Sequence, residues 1–386
     1  LAAVSARGRG LPTTRTVTVN YAQGTYATPN TGYFGGGVEN PGLVVTVDRI
    51  DYANDTATAS PKGDLSVARY YFAATGNDSF GYYGGGTNPD KPATLSTVDR
   101  ISYLNDTATA VVKGSLSAAK FQLAATGNSS FGYFAGGGSP KVSTVDRIDY
   151  SNDSATASPK GPLSSTRYRS TATGNQEFGY VAGDDPFNGS KVDRIDYASD
   201  TATAVVKGPL SIGPYLSFMG ATSNADFGYF GGNNSVFPPT YRSTISRIDY
   251  SNDTATALAR GPLSASKGGL AATGNSSFGY FGGGATPSKV SIVDRVDYSN
   301  DTVDASPKGP LTANRSFPGA SSGRVNGFVP IGPSVVSNVP FSSTQFGYFI
   351  GGRTYPPSYS YKQRIDYSND TSVALLRGFF GTGGRG

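Results

Sequence analysis

Short β-type runs, rich in Val, Ile, Tyr, Phe and Thr and punctuated by Gly, Pro, Asn and Asp, fill almost the whole chain. They recur as a unit. In one copy Phe131-Gly132-Tyr133-Phe134-Ala135-Gly136-Gly137-Gly138 leads, across a Ser/Pro/Lys loop, into Val145-Asp146-Arg147-Ile148-Asp149-Tyr150. The aromatic-glycine half ends at Gly37, Gly86, Gly138, Gly183, Gly232, Gly284 and Gly352, and a third-strand arginine follows at 49, 100, 147, 194, 247, 295 and 364. Most copies lie about fifty residues apart, the spacing of a propeller or solenoid array. The sixth copy reads as four strands: Gly269 to Thr273, Phe278 to Gly282, Ser291 to Tyr298 and Thr302 to Ser306. A Ser299-Asn300-Asp301 turn joins the last two, and Pro307-Lys308-Gly309-Pro310 ends the unit. Seven four-stranded units predict an all-β, seven-bladed β-propeller over residues 1–386 as one domain, a closed ring that leaves only short sheet edges.

The array opens in mid-unit. Ala2 to Gly8 is similar to the unit end Thr256 to Gly261, and Thr14 to Ala22 alternates like a degenerate first strand. Both Ala2 to Ala6 and Thr371 to Leu375 read as fourth strands, so the seventh blade is expected to close with strands from both chain ends, one of these two being displaced. Residues 316–344 form an insertion before the seventh double-glycine strand, and the face it occupies is open at this stage. The chain begins at Leu1, which leads to the expectation of a processed leader or an upstream domain.

The units resemble kelch-type repeats, marked by an apolar strand ending in two glycines and then a strand carrying Tyr. Gly35-Gly36 with Tyr52, Gly84-Gly85 with Tyr103, and Gly282-Gly283 with Tyr298 stand in those places. The kelch Trp of the fourth strand is missing from every unit, with Ala57, Thr58 and Ala59 in that region, so the match is to a divergent branch. The Val-Asp-Arg-Ile-Asp-Tyr-Ser-Asn-Asp-Thr-Ala-Thr-Ala wording also resembles repeat proteins encoded by marine cyanophages and other viruses of marine microbes. That resemblance implies a virion or extracellular location, in a surface or appendage protein that touches a host glycan, a receptor or another virion protein. A secreted matrix or adhesion protein is the structural alternative.

Composition narrows the chemistry. The chain has no Cys, His or Trp, which removes disulfides, thiolate and imidazole catalysis and most transition-metal sites. The copper-radical oxidases built on kelch-type propellers are excluded with them, since they need His and Cys. Hydrophobic residues are 37% against the usual roughly 45 to 50%, while Gly numbers 52 and Tyr plus Phe 46, so the core must set aromatics against glycine backbone. The net charge of +5 is spread evenly through the repeats, unlike the clustered charge of a nucleic-acid binder. No apolar run approaches the roughly 20 residues of a membrane span. No glycine cluster opens a helix or ends in Gly-Lys-Ser/Thr, so none reads as a phosphate loop. We expect no cofactor, no metal, no nucleic acid and no membrane insertion; oligomeric assembly is compatible with the sequence.

The arginines Arg49, Arg100, Arg147, Arg194, Arg247, Arg295 and Arg364 are matched by a complete set of turn aspartates, Asp55, Asp106, Asp153, Asp200, Asp253, Asp301 and Asp370. Each arginine is expected to be held between blades by that carboxylate, a structural role. A glycan hydrolase or lyase would need an unrepeated carboxylate pair, for which only Asp184, Asp185, Asp226, Glu177 and Glu39 are candidates. No catalytic residue is assigned on that basis. The contact surface is expected where the repeat breaks, in the loops between second and third strands: Val38 to Val45, Thr87 to Ala93, 184–189, Asn233 to Arg242 and Arg353 to Lys362. Tyr241, Arg242, Tyr355, Tyr359 and Tyr361, with Phe187 and Asp184 across the ring, are the expected contacts, because Tyr and Arg on proline-stiffened loops lose little entropy on binding.

Overall fold

The computed structural model describes residues 30–323, apart from 91–93, 139, 185–188, 212, 214 and 237–238, together with the strands of residues 346–350, 361–366 and 375–379. The chain divides into two compact units, one of Thr25–Pro330 and one made of Leu1–Gly24 with Ile331–Gly386. The larger unit is a β-propeller of six four-stranded antiparallel blades. Blade two shows the pattern: inner strand Ala73–Gly76, second strand Phe80–Gly84, third strand Val98–Ser102 and outer strand Val111–Lys113. The inner strands of neighbouring blades pack side by side around the axis.

The seven-bladed ring expected from the sequence is therefore corrected to six. Blade one takes Thr31–Gly35, Val47–Asp51 and Ser60–Lys62 from the chain's beginning and its inner strand, Gly319–Ser322, from beyond the sixth repeat. Gly35 faces Gly319 and Gly32 faces Ser322 in the antiparallel register. The closing strand is the segment that would have opened a seventh blade. Closure by both chain ends thus falls on blade one, not on blade seven, and the first eight residues of the 316–344 insertion belong to the ring. The seventh repeat supplies a separate three-stranded sheet of Phe346–Ile350, Tyr361–Asp366 and Leu375–Phe379 within the smaller unit.

Strand boundaries in the sixth repeat move as well: the inner strand is Ala271–Gly274 and the third Val293–Asp297, each end shifted by one or two residues. The outer strand of the sixth repeat is Ser306–Lys308, four residues later than its sequence pattern suggested, and Pro307 lies inside it opposite Asp294. Proline has no N–H to give a ladder, but this strand is the edge of its sheet and that side needs none. The stretch before it is occupied by a tight turn, Tyr298–Asn300, capped by the Asp297 side chain accepting from Ser299 N.

Blades are joined by one repeated cluster. In blade two Tyr82 stacks on Tyr150 of blade three at 4.7 Å and donates its hydroxyl to Asp153 at 2.9 Å, while Arg100 lies 2.8 Å from the same carboxylate oxygen. Lys113 reaches the other oxygen at 3.0 Å, and the Arg100 guanidinium covers the Phe80 ring at 4.2 Å. The same arrangement links Arg49 to Asp106, Arg147 to Asp200, Arg194 to Asp253 and Arg247 to Asp301. It closes with Arg295 on Asp55 at 2.8 Å and Tyr280 stacked on Tyr52 at 4.6 Å, which joins blade six to blade one. Gly309 completes that joint, since a Cβ there would come within 1.7 Å of the Ala57 carbonyl oxygen. Arg364 pairs with Tyr348 and Leu375 in the separate sheet, and Asp370 lies outside the described residues.

Burial raises the phenol pKa of all twelve tyrosines of these stacks, Tyr33 to about 12. A raised folded-state pKa leaves the contribution to stability intact below about pH 10, the phenol's ordinary value, and removes it as pH climbs further. In an alkaline titration the stacked twelve should accordingly ionise together, above the ordinary phenol range, in a cooperative step that coincides with loss of β circular dichroism. A single smooth absorbance curve centred near pH 10, with the dichroism retained, would contradict this.

Candidate functional site

The segments that enter the inner strands carry the least repetitive residues of the ring. Just before each inner strand one residue turns through the left-handed region: Tyr71 (φ 58°), Gln122 (56°), Arg169 (56°), Phe218 (55°), Gly269 (68°) and Phe317 (55°). A bulky side chain in this conformation costs about 1–2 kcal/mol, so five of these positions hold strain that the surrounding bonds must impose. Those bonds form a chain of amides around the axis. Gln122 N donates to Tyr71 O at 2.6 Å, Arg169 N to Gln122 O at 2.7 Å, and Phe218 N to Arg169 O at 3.1 Å. Gly269 N then donates to Phe218 O at 2.8 Å and Phe317 N to Gly269 O at 2.6 Å. Gly269 is required twice over, by its φ and by the Phe317 ring, which a Cβ would meet at 2.6 Å.

The side chains of this circle meet on the axis. Tyr71 stacks on Phe218 from the opposite side at 5.4 Å, and Phe317 sits against both at 4.5 and 5.1 Å. Tyr70 and Phe121 extend the aromatic set. Arg169 lies over the Tyr168 ring at 4.5 Å and the Phe218 ring at 5.3 Å. Tyr71, Arg169, Phe218 and Phe317, with Gln122 and the alanine-rich starts of the inner strands, line a cavity of about 110 Å³, roomy enough for a small ligand group. Burial raises the Tyr71 phenol above its ordinary pKa, with Tyr70 adding to the effect and Arg169 opposing it, so Tyr71 stands as a neutral hydroxyl.

The loops between second and third strands lie at this same end of the ring. Short bridges tie them to the entering segments: Val38 to Ser316, Tyr70 to Thr87, Phe121 to Gly138, Val142 to Arg167 and Gly268 to Ala285. The tight Asp-capped turns of the third strands lie at the opposite end, as do the Asn-led turns that carry Glu177 and Asp226. Tyr241 and Arg242 stand on the mouth's end, but on a ribbon instead of a loop. Phe227–Val236 and Pro239–Asp249 continue their ladder past a register shift after Gly231, with Asn234 opposite Tyr241 and Asn233 opposite Arg242. Tyr241 is half-buried and Arg242 exposed. Asp184 lies on the same end, with φ 25° and its amide donating to Leu216 O at 2.7 Å. Tyr361 begins a strand of the separate sheet, and Tyr355, Tyr359 and Phe187 lie outside the described residues. Among the described residues no cluster of three or more carboxylates stands ready for a metal ion.

Beneath the mouth lies a second set of charges that sequence reasoning missed. Arg69, two residues before Tyr71, pairs with Asp99 at 2.9 Å with both side chains wholly buried. Lys120 with Asp146, Arg167 with Asp193, Lys267 with Asp294 and Arg315 with Asp48 repeat it. Blade five has Leu216 and Ser246 at these two places, and Ser246 bonds Ser211 at 2.8 Å. The simultaneous loss of cation and carboxylate was the readable signal, because an uncompensated buried charge is far costlier than a neutral pair. The mouth residues were also missed; their signal was six equivalent entering positions holding five residue types while the strands around them stay constant. No protein-family model and no curated protein matches this chain.

Proposed function

We propose that the protein is a non-enzymatic binding module of the kelch-like kind, carried on a virion surface or appendage and contacting a host glycan, a receptor or another virion protein. The supporting observation is the contrast between repeated and unrepeated residues. The Arg, Tyr and Asp clusters between blades are the same six times over, whereas the axial mouth is built from Tyr71, Gln122, Arg169, Phe218, Gly269 and Phe317. Variation gathered at one end of an otherwise uniform ring is what a recognition surface requires. Half-buried aromatics with one cation and amide among them suit a partner with both apolar and polar faces. The carboxylates support binding over hydrolysis: Glu177 and Asp226 occupy the end opposite Asp184, and Glu39, at the Asp184 end, is held by Arg315 at 2.7 Å. The marine-virus wording of the repeat supports the virion assignment over a secreted matrix protein.

Two measurements test this. Mass spectrometry of purified particles from the source sample should find peptides of this chain with the virion proteins; recovery only in a cell-derived matrix fraction would overturn the assignment. In a glycan-array or receptor-binding assay Tyr241→Ala should weaken the bound partner by about 2 kcal/mol or more, as a contact hot spot does. A loss under about 1 kcal/mol would move the contact away from the blade-five ribbon.

A further inference from the structure

Among the arginines whose side chains are described, only Arg169 and the exposed Arg242 have no carboxylate at ion-pair distance. Arg169 is the more telling, because its guanidinium is pressed against Tyr168 and Phe218 and its Nε is buried without a hydrogen-bond partner. A half-buried cation with no carboxylate beside it gives up part of its hydration with no ion pair in exchange. Its neighbour Ser170, only 9% exposed, lines the same cavity and has a hydroxyl with no partner either. Gln122, 8% exposed, lines it from the adjacent blade. The backbone offers a ligand little, since the amides of five mouth residues are taken by the bonds of the circle. Recognition at the mouth therefore falls to side chains: one cation, one free hydroxyl, one amide and three aromatic faces.

The geometry points to the axial mouth as a binding site for the carboxylate of an acidic sugar at a glycan end. Arg169 takes the carboxylate in the forked geometry that a guanidinium offers. Ser170 and Gln122 take hydroxyls, and the C–H face of the sugar ring packs against Tyr71, Phe218 and Phe317. A sugar supplies the polar and apolar surfaces together, which a bare inorganic anion does not. This assignment rests on the reading of the protein as a binding module and states which glycans that module would prefer.

The test uses the whole chain, at about 0.15 M salt so that the general positive charge is screened. Sialyllactose and trigalacturonic acid are titrated by calorimetry against their neutral counterparts, lactose and the trigalacturonate methyl ester. At least one acid should bind tenfold or more tightly than its neutral partner. Arg169→Gln should abolish that preference, the acid then binding no more tightly than its neutral counterpart. Glutamine is a fair replacement because Gln122 already holds the same left-handed position in the next blade, and an unchanged melting temperature would confirm that the variant folds. Acid and neutral forms binding alike, an Arg169→Gln variant that keeps the preference, or failure of both acids to bind would each overturn the inference. If both acids fail while neutral glycans or a protein receptor bind the wild type, the binding module stands and only the acidic-sugar assignment falls.

Discussion

Replacing Asp99 by Ser should destabilise the propeller by about 3–5 kcal/mol, and adding Arg69→Leu should restore most of that loss. Both side chains of the pair are fully buried, and Arg69 also donates to the carbonyls of Tyr83 and Thr97. Burial pulls the Arg69 pKa below its ordinary value, with the Asp99 charge opposing that pull. Even so, a guanidinium does not shed its proton within the working range of a protein, so removing Asp99 leaves a charge with nothing to balance it. Ser66 loses its partner too, since its amide and hydroxyl both bond Asp99. The double variant copies what blade five already contains, Leu216 packed with Leu210, Met219 and Phe230 beside a serine at 246. Urea unfolding of the two single variants and the double variant measures the coupling directly. A double variant as unstable as Asp99→Ser alone would show that the carboxylate acts through its hydrogen bonds to Ser66, not through the buried charge.

The repeat made much of this fold readable. Phe278 to Gly282 was placed as a strand from its sequence alone, and the four-stranded antiparallel blade followed from the turn residues. The blade count was not readable, because counting double-glycine strands presumes that every such strand keeps its own inner strand. Gly319–Ser322 breaks that presumption. Its Phe317-Pro318-Gly319-Ala320 wording parallels Phe218-Met219-Gly220-Ala221 in blade five, yet it pairs with Thr31–Gly35 at the other end of the chain. The insertion after it was the trace of this choice, since twenty further residues separate it from the next double-glycine strand. Local pattern specifies that a segment is a strand; which edge it joins is decided by ring closure, through contacts more than 280 residues apart such as Ser322 Oγ to Thr31 O. The mouth was missed for a related reason. Loop length and aromatic content drew attention to Phe237 to Arg242, whereas the circle of left-handed residues is composed of single positions that look unremarkable until six blades bring them together.

The ring should fail without its closing strand. A chain stopped after Pro330 ends at the boundary of the larger unit and keeps Gly319–Ser322, while one stopped after Pro310 loses it; both lack the same seventh repeat, so their difference isolates closure. The shorter chain would leave the Gly32 to Gly35 edge unpaired and remove four anchors. These are Thr312 on Asp48, Arg315 on Asp48 and Glu39, the Ser321 hydroxyl on Tyr83 at 2.9 Å, and Ser322 on the Thr31 carbonyl at 2.8 Å. Asp48 would then be buried without a cation, and Phe72 would lose Gly319, beside which its ring packs too closely for any Cβ. The buried charge alone is a large loss: left unpaired it costs about 3–5 kcal/mol, and the whole stability of a domain is only about 5–15. The Pro330 chain is therefore expected to melt in one sharp transition, and the Pro310 chain to lose that transition, bind a hydrophobic dye and aggregate. Adding a synthetic peptide of residues 311–323 to the shorter chain should recover part of the transition, because the missing strand needs only to find the open edge of blade one. A Pro310 chain that melts as sharply, and within a few degrees of the Pro330 chain, would mean that the ring is held by its interblade Arg–Asp and Tyr–Tyr clusters alone and that the closing strand is incidental to it.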